Sequence, residues 1–231
     1  MKFISLCLLL SLGLVASSTA MAQSTNSVYI DQSGDNSSIN ITQFGLGNSL
    51  NTDSNHAIFN GNNQSVTISQ IGNQNSTNVT LTGTGTSLTN NITGGFNTTN
   101  ITCGTGGASA TGSCNDSVLT ANATGSNNAL SINRTSKNTS TILLNGNYNS
   151  ASITSTTDNL LGSTATINAT GSSNVVSINQ SGPAGANGHS ADVEITGSSN
   201  VIGVTQSGSS DSLVKISSSG SNNNITVHSG N

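Results

Sequence analysis

Charged, aromatic and proline residues are scarce in this chain, and each shortage argues against a conventional globular domain. Charged residues make up 5% of the sequence and aromatic residues 3%, with one proline and no tryptophan. A typical domain has about a quarter charged residues, and a core of this length is hard to fill without bulky side chains. A stack of short repeats, each of which buries a few apolar side chains against its neighbours, is easier to form from this composition. Disorder of the free monomer stays open, although disordered chains usually combine low hydrophobicity with high net charge.

The charges that are present do not form a recognisable site. The net charge is −4, without a basic surface for phosphates, which argues against nucleic acid as a partner. The carboxylates are mostly isolated, whereas a glycosidase needs two at a fixed separation in a cleft. His56, His189 and His228 lie in turn-like sequence and are expected to be solvated. We therefore expect no enzyme activity, no small-molecule substrate, no metal site and no cofactor.

The first 22 residues have the pattern of a secretory signal. Lys2 precedes an apolar run from Phe3 to Val15, and small residues follow up to Ala22. The run is too short for a permanent transmembrane helix. We expect cleavage after Ala22, a secreted protein, and one repeat domain over residues 23–231.

A period of about 11 residues dominates that domain. Its unit is apolar-x-apolar-x-Gln-x-Gly, followed by a turn rich in Asn, Ser and Gly. Apolar residues at alternate positions are typical of a half-buried β-strand and exclude a helical face. The predicted core stripe consists of Val28, Ile30, Ile39, Ile41, Val66, Ile68, Val79, Leu81, Val176, Ile178, Val193, Ile195, Ile202 and Val204.

The positions after the core stripe are also specific. Glycine supplies the positive φ angle that a tight reversal requires. Stacked glutamines can bond amide to amide along a cross-β structure. The predicted glutamine ladder consists of Gln32, Gln43, Gln70, Gln180 and Gln206. The predicted turn glycines are Gly34, Gly45, Gly72, Gly83, Gly182, Gly197 and Gly208.

A single unit cannot fold alone. It buries two aliphatic side chains, worth roughly 1.5–3 kcal/mol each, against about 1–2 kcal/mol of backbone entropy for every ordered residue. Two units, about 22 residues, form strand-turn-strand. The predicted fold is therefore an all-β, parallel stacked β-solenoid with amyloid-like cross-β structure. Loop insertions are expected at 46–62, 104–116 and 183–189, and Arg134 fits its inward position worst.

Two cysteines remain after the signal is removed. Cys103 and Cys114 flank a glycine-rich loop. In an oxidising compartment a disulfide between them is expected, and two free thiols are the alternative.

The segment from Asn26 to Ser49 resembles the repeats of curlins, the subunits of curli. Curlin repeats have the form Ser-x5-Gln-x-Gly-x-Gly-Asn-x-Ala-x3-Gln. In this chain Gln32 and Gln43 bracket Gly34, Asn36 and two aliphatic residues. The second glutamine is often replaced in later units, and the chain is longer than a typical curlin.

The resemblance implies a structural subunit of an extracellular functional amyloid in biofilm matrix, which supports cell adhesion and aggregation. It also implies export through an outer-membrane secretion pore and assembly with itself, alone or with a related curlin subunit or nucleator. Clean repeats reach both ends of the mature chain, so we expect end-to-end β-strand templating. The alternative is a soluble β-solenoid binding module, such as an adhesin or an ice-binding protein, although the outward positions look too mixed for a regular threonine row.

Overall fold

The structure, a computed structural model, describes residues 25–104, 114–135, 137–156, 162–182 and 188–230. The predicted signal at 1–22 lies outside these ranges. All regular secondary structure in the described ranges is β-strand. These ranges contain no helix that could cross a membrane.

The strands form two sheets in which every pairing is parallel. The first sheet contains β1 (Ser27–Val28), β2 (Ile30–Ser33), β4 (Ser49–Leu50), β5 (Ala57–Asn60), β7 (Ser76–Thr82), β9 (Thr98–Cys103), β11 (Ala129–Arg134), β13 (Ser150–Ser155), β15 (Val175–Gln180), β17 (Val201–Ser207) and β19 (Asn224–Gly230). The second sheet contains β3 (Ser38–Phe44), β6 (Ser65–Ile71), β8 (Ser87–Thr93), β10 (Val118–Thr124), β12 (Asn138–Asn145), β14 (Ser163–Thr170), β16 (Ser190–Thr196) and β18 (Leu213–Ser219).

The chain alternates between the sheets and rises by one strand with each circuit, which we call a coil. Asn78 and Asn100, for example, stack in register 22 residues apart. A strand pairs with the strand one coil before and one coil after it, never with its sequence neighbour. The predicted parallel β-solenoid is therefore confirmed.

The two-residue period of the sequence explains the core. In the central strands, buried and solvent-facing residues alternate, and the buried ones of both sheets form one apolar cluster. Its rows run along the stacking axis, because parallel register places Ile132, Ile153 and Ile178 directly above one another. Each strand contributes only two or three side chains, so burial depends on the coils above and below.

The predicted insertion at 46–62 is wrong in its extent. Residues Ser49–Leu50 and Ala57–Asn60 form β4 and β5, which pair with β1 and β2 on one side and with β7 on the other. Only residues 51–56 loop out. This loop splits one strand into two. Leu50 and Ala57, which occupy neighbouring inward positions of the strand, are therefore seven residues apart in sequence, and the alternation that marks a strand is interrupted in this coil.

The turns form two edges of different character. We call the turns from the second sheet to the first the asparagine edge: residues 44–48, 71–75, 93–97, 124–128, 145–149, 170–174, 196–200 and 219–223. The turns from the first sheet to the second form the insertion edge, which includes the predicted insertions at 104–116 and 183–189. Of those two insertions, residues 105–113 and 183–187 lie outside the described residues.

Candidate functional site: the ladders and the ends of the stack

No catalytic constellation emerges from the described residues. Within the described ranges, no three His, Cys, Asp or Glu side chains come together as metal ligands would. What recurs from coil to coil is hydrogen bonding along the stacking axis. The candidate functional site is therefore the set of stacked side-chain ladders together with the two ends of the stack.

The most regular ladder, which the repeat analysis missed, consists of asparagines on the asparagine edge. Each backbone N–H donates to the side-chain Oδ1 of the asparagine one coil earlier, at 2.9–3.1 Å. The ladder runs through Asn26, Asn48, Asn75, Asn97, Asn128, Asn149, Asn174, Asn200 and Asn223.

One step shows how fully these amides are used. The side-chain Nδ2 of Asn97 donates to Oδ1 of Asn75 at 3.0 Å and to the carbonyl of Gly125 at 2.8 Å. Its own Oδ1 accepts bonds from the backbone N–H and the Nδ2 of Asn128. The side chain is 1% exposed, so every polar atom is satisfied inside the protein. The detectable sequence signal was an asparagine three residues after the first glycine of each turn on this edge.

A glycine lies three residues before each ladder asparagine except Asn26 and lets successive turns approach closely. Gly94 has a φ of 126°, and a Cβ placed there would lie 1.9 Å from the carbonyl oxygen of Gly125 on the next coil. Any other residue would force the turns apart. All seven predicted turn glycines, Gly34, Gly45, Gly72, Gly83, Gly182, Gly197 and Gly208, have positive φ, between 93° and 159°.

Glutamines stack in two separate pairs. On the second sheet, Nε2 of Gln43 donates to Oε1 of Gln70 at 2.7 Å. On the first sheet, Nε2 of Gln180 donates to Oε1 of Gln206 at 3.0 Å. Gln32 does not join a ladder, which corrects the prediction: its Nε2 donates to the carbonyl of Gly34 in its own turn.

The reason is that other residues occupy the glutamine position on most coils. In the first sheet, the residue that stacks on Gln32 is the aromatic Phe59. No glutamine follows in this row of stacked residues until Gln180 and Gln206. Its members in order are Gln32, Phe59, Leu81, Cys103, Arg134, Ser155, Gln180, Gln206 and Ser229. A continuous glutamine ladder is therefore absent from the described coils.

Burial of the predicted core stripe depends on distance from the ends. Ten members are at most 1% exposed: Val66, Ile68, Val79, Leu81, Val176, Ile178, Val193, Ile195, Ile202 and Val204. Ile30, Ile39 and Ile41 are partly buried, because they lie in the first coil. Val28 is 43% exposed, so its assignment to the core was wrong for the isolated molecule.

Arg134 is completely buried in the row that contains the disulfide. Cys103 and Cys114 are bonded, with their Cα atoms 5.5 Å apart. The next residue in the row after Cys103 is Arg134, whose Nε donates to Ser140 and whose Nη1 donates to Oε1 of Gln180 at 3.1 Å. Burial lowers the pKa of Arg134 to about 9, because no water stabilises the charged guanidinium.

One histidine, His189, differs from the solvated state that the sequence predicted, whereas His56 stays partly exposed but has partners. His189 is 1% exposed and lies within hydrogen-bond distance of the Ser181 carbonyl and the Ser212 hydroxyl. His56, in the 51–56 loop, pairs with Asp31 at 3.0 Å and stacks on Tyr29. The hydrogen bond to Asp31 raises the pKa of His56.

Both ends of the stack have strands with one unpaired side. Among the described strands, β1, β2 and β3 at one end and β18 and β19 at the other each pair on a single side. Six inward residues of these coils are only partly buried: Ile30, Ile39 and Ile41 at one end, and Ile216, Ile225 and Val227 at the other. Each end therefore presents backbone donors and acceptors beside an aliphatic row.

The sequence of the first coil matches a known protein family. Residues 24–45 match the family model of the curlin associated repeat. This segment contains β1, β2 and β3, together with the first turn glycines. No curated protein and no solved structure matches the chain. The match in the first coil, which the coils that follow continue in parallel register, supports a repeat protein of the curlin kind.

Proposed function

We propose that this protein is a structural subunit of an extracellular amyloid-like fibre, in which molecules join end to end by β-strand pairing. The observation that carries the proposal is the chemistry of the two end coils. Each combines a row of backbone donors and acceptors with aliphatic residues that are only partly buried. A second copy supplies matching strand edges and apolar rows at the strand spacing of ~4.8 Å.

The ladders favour growth along the same axis. Each added coil brings an asparagine that bonds to the coil before it, in the same way at every step. Hydrogen bonds aligned in such chains polarise one another and strengthen. A joint between two molecules that continues this register gains contacts of the same kind as those inside the solenoid.

The curlin repeat supports a location outside the cell. We propose that residues 1–22 direct export, that an outer-membrane pore releases the chain, and that the fibre belongs to a biofilm matrix that supports adhesion and aggregation. The main partner is another copy of this chain, and a related curlin subunit or nucleator is a second candidate partner. The fold and the family are structural, so the proposed role needs no catalysis.

Assembly of the purified mature protein tests the proposal. We expect Thioflavin T binding and a 4.7 Å diffraction spacing, as stacked strands produce. Val227→Lys places a charge in the inward row of β19 and should slow fibre elongation about tenfold or more. Thr226→Lys, at the exposed neighbouring position, is the matched control and should assemble normally.

Three outcomes contradict the proposal. One is a wild-type protein that stays monomeric under all assembly conditions. Another is normal elongation of Val227→Lys. The third concerns deletion of the gene in the source bacterium. We expect deletion to reduce amyloid staining of colonies and restoration of the gene to recover it. Unchanged staining would exclude a role as the main subunit.

One observation favours a second candidate, a soluble solenoid that binds ice. Five threonines stack in register on the outward face of the second sheet, contrary to the mixed outward positions expected from the sequence: Thr67, Thr89, Thr120, Thr141 and Thr166. The row ends at Asp192 and has no adjacent threonine row. Thermal hysteresis in a solution of the monomer, lost in Thr120→Lys, would support this alternative.

A further inference from the structure

The asparagine edge carries no charge at any of its eight levels. Its turns contain only Gly, Asn, Ser, Thr, Gln, Phe, Tyr, Leu and Ile. The insertion edge, by contrast, carries four solvent-facing charged residues in its described part: Asp35, Asp116, Lys137 and Asp211. A ligand of the asparagine edge is therefore recognised without ion pairs, and phosphates, acidic polymers and basic peptides do not fit it.

Two aromatic side chains stand on this edge in a backbone conformation that large residues avoid. Phe96 has a φ of 59° and Tyr148 a φ of 58°. The equivalent position of the other six turns holds only Gly, Gln, Asn or Ser, and the glycine and asparagines among them adopt this conformation most readily. Strained residues of this kind concentrate at binding sites.

These aromatic residues are also exposed and regularly spaced. Phe96 is 57% exposed and Tyr148 is 65% exposed, although aromatic residues are only 3% of the chain. They occupy the same turn position two coils apart, with the exposed Asn127 between them. Two strand spacings separate them by ~9.6 Å along the axis. Phe44 and Ile71, at the first two levels, extend the apolar surface of the edge.

The geometry points to a binding site for an extended, uncharged, β-1,4-linked polysaccharide along the asparagine edge. Apolar faces of sugar rings stack on aromatic side chains, and the tyrosine hydroxyl and nearby amides bond to sugar hydroxyls. Successive rings in such a polymer are turned over, so every second ring presents the same face. Phe96 and Tyr148, two coils apart, match one such repeat of two rings, with Asn127 facing the ring between them.

A second copy of the chain is a poorer occupant of this edge. Two aromatic side chains bury roughly 300–500 Å² together, whereas a stable protein interface needs about 800 Å² from each partner. Phe44, Leu46 and Ile71 are the other exposed apolar residues of the edge, and they lie at its first two levels; the remaining positions are mainly Ser, Thr, Asn and Gly. The edge lies parallel to the stacking axis, so end-to-end assembly leaves it accessible and repeats the site in every subunit.

Co-sedimentation with microcrystalline cellulose and with chitin tests the inference, using mature protein both before and after assembly. The test variant is Phe96→Asn combined with Tyr148→Asn, because asparagine occupies the same turn position at Asn127 and relieves the backbone strain. Leu213→Asn is the control, since Leu213 is 68% exposed and lies off the asparagine edge. Alginate, an anionic polysaccharide, is the control ligand.

We expect wild type and Leu213→Asn to bind at least one of the two neutral polysaccharides and not alginate. The double variant should bind about tenfold less tightly, with an unchanged or higher unfolding midpoint and normal fibre growth. Absence of wild-type binding, or equal binding by the double variant, overturns the inference. So does a double variant that binds normally but loses lateral bundling of fibres, because the edge then contacts a second copy. Fibre growth is scored separately, so failure here is distinguishable from failure of the assembly proposal.

Discussion

Replacing Asn97 by alanine removes four hydrogen bonds from the middle of the asparagine ladder. The side chain donates to Asn75 and Gly125 and accepts two bonds from Asn128. All of these groups lie between coils that are packed on both sides, so water cannot replace the lost partners without opening the edge. The change creates no charge and leaves the strands and the preceding glycine intact.

The expected cost follows from those bonds. Each buried hydrogen bond contributes about 1 kcal/mol net, and each polar group left without a partner costs about 1–3 kcal/mol. The backbone N–H of Asn128 and the carbonyl of Gly125 lose a partner, so Asn97→Ala should lower the free energy of unfolding by about 3–6 kcal/mol. Domains of this size are stable by only about 5–15 kcal/mol, so the variant should unfold at much lower denaturant.

Urea unfolding followed by far-ultraviolet circular dichroism measures the difference. The matched control is Asn100→Ala, three residues away, which removes one exposed bond from Asn78 and should cost less than about 1 kcal/mol. Similar losses in the two variants would refute the reasoning, because burial in the ladder would then contribute nothing. Fibres of Asn97→Ala should also dissolve at lower denaturant than wild-type fibres.

Three further predictions concern the turn glycines, the buried arginine and the disulfide. Gly94→Ala should strongly destabilise the protein, because its Cβ would meet the next coil at 1.9 Å, whereas Gly203→Ala, where the nearest atom is 3.8 Å away, should be harmless; thermal unfolding compares the two. Arg134→Leu should be neutral or stabilising by about 1–4 kcal/mol in urea unfolding at pH 7, since it removes a buried charge. Wild-type stability should rise as the pH increases above 9, because the unfolded chain keeps the Arg134 proton that the folded state releases, and Arg134→Leu should lack that rise. Reduction of the Cys103–Cys114 bond, which closes a short loop, should lower stability by about 2–3 kcal/mol, and a Cys103→Ser, Cys114→Ser variant should be insensitive to reductant.

Sequence reasoning failed where the period was broken or where a partner lay one coil away. The strand formed by β4 and β5 was missed because residues 51–56 interrupt its alternation. The asparagine ladder was missed because its bonds join residues 21 to 31 positions apart, although each asparagine lies in an ordinary turn. Gln32 was placed in a ladder because the register above it, where Phe59 stands, is not visible from one repeat.

The sequence alone determined the strand period, the positions of most strands and the parallel stacking. Stacking followed because two aliphatic residues per unit do not offset the entropy of ordering that unit unless it packs against its neighbours. The tertiary structure decided which residues meet between coils: the nine asparagines, the two glutamine pairs and the buried Arg134. The physical reason is that alternation within a strand is a local property that any unit reveals, whereas a ladder depends on register between distant segments. Register is set by the lengths of all intervening turns together, and no single repeat encodes it.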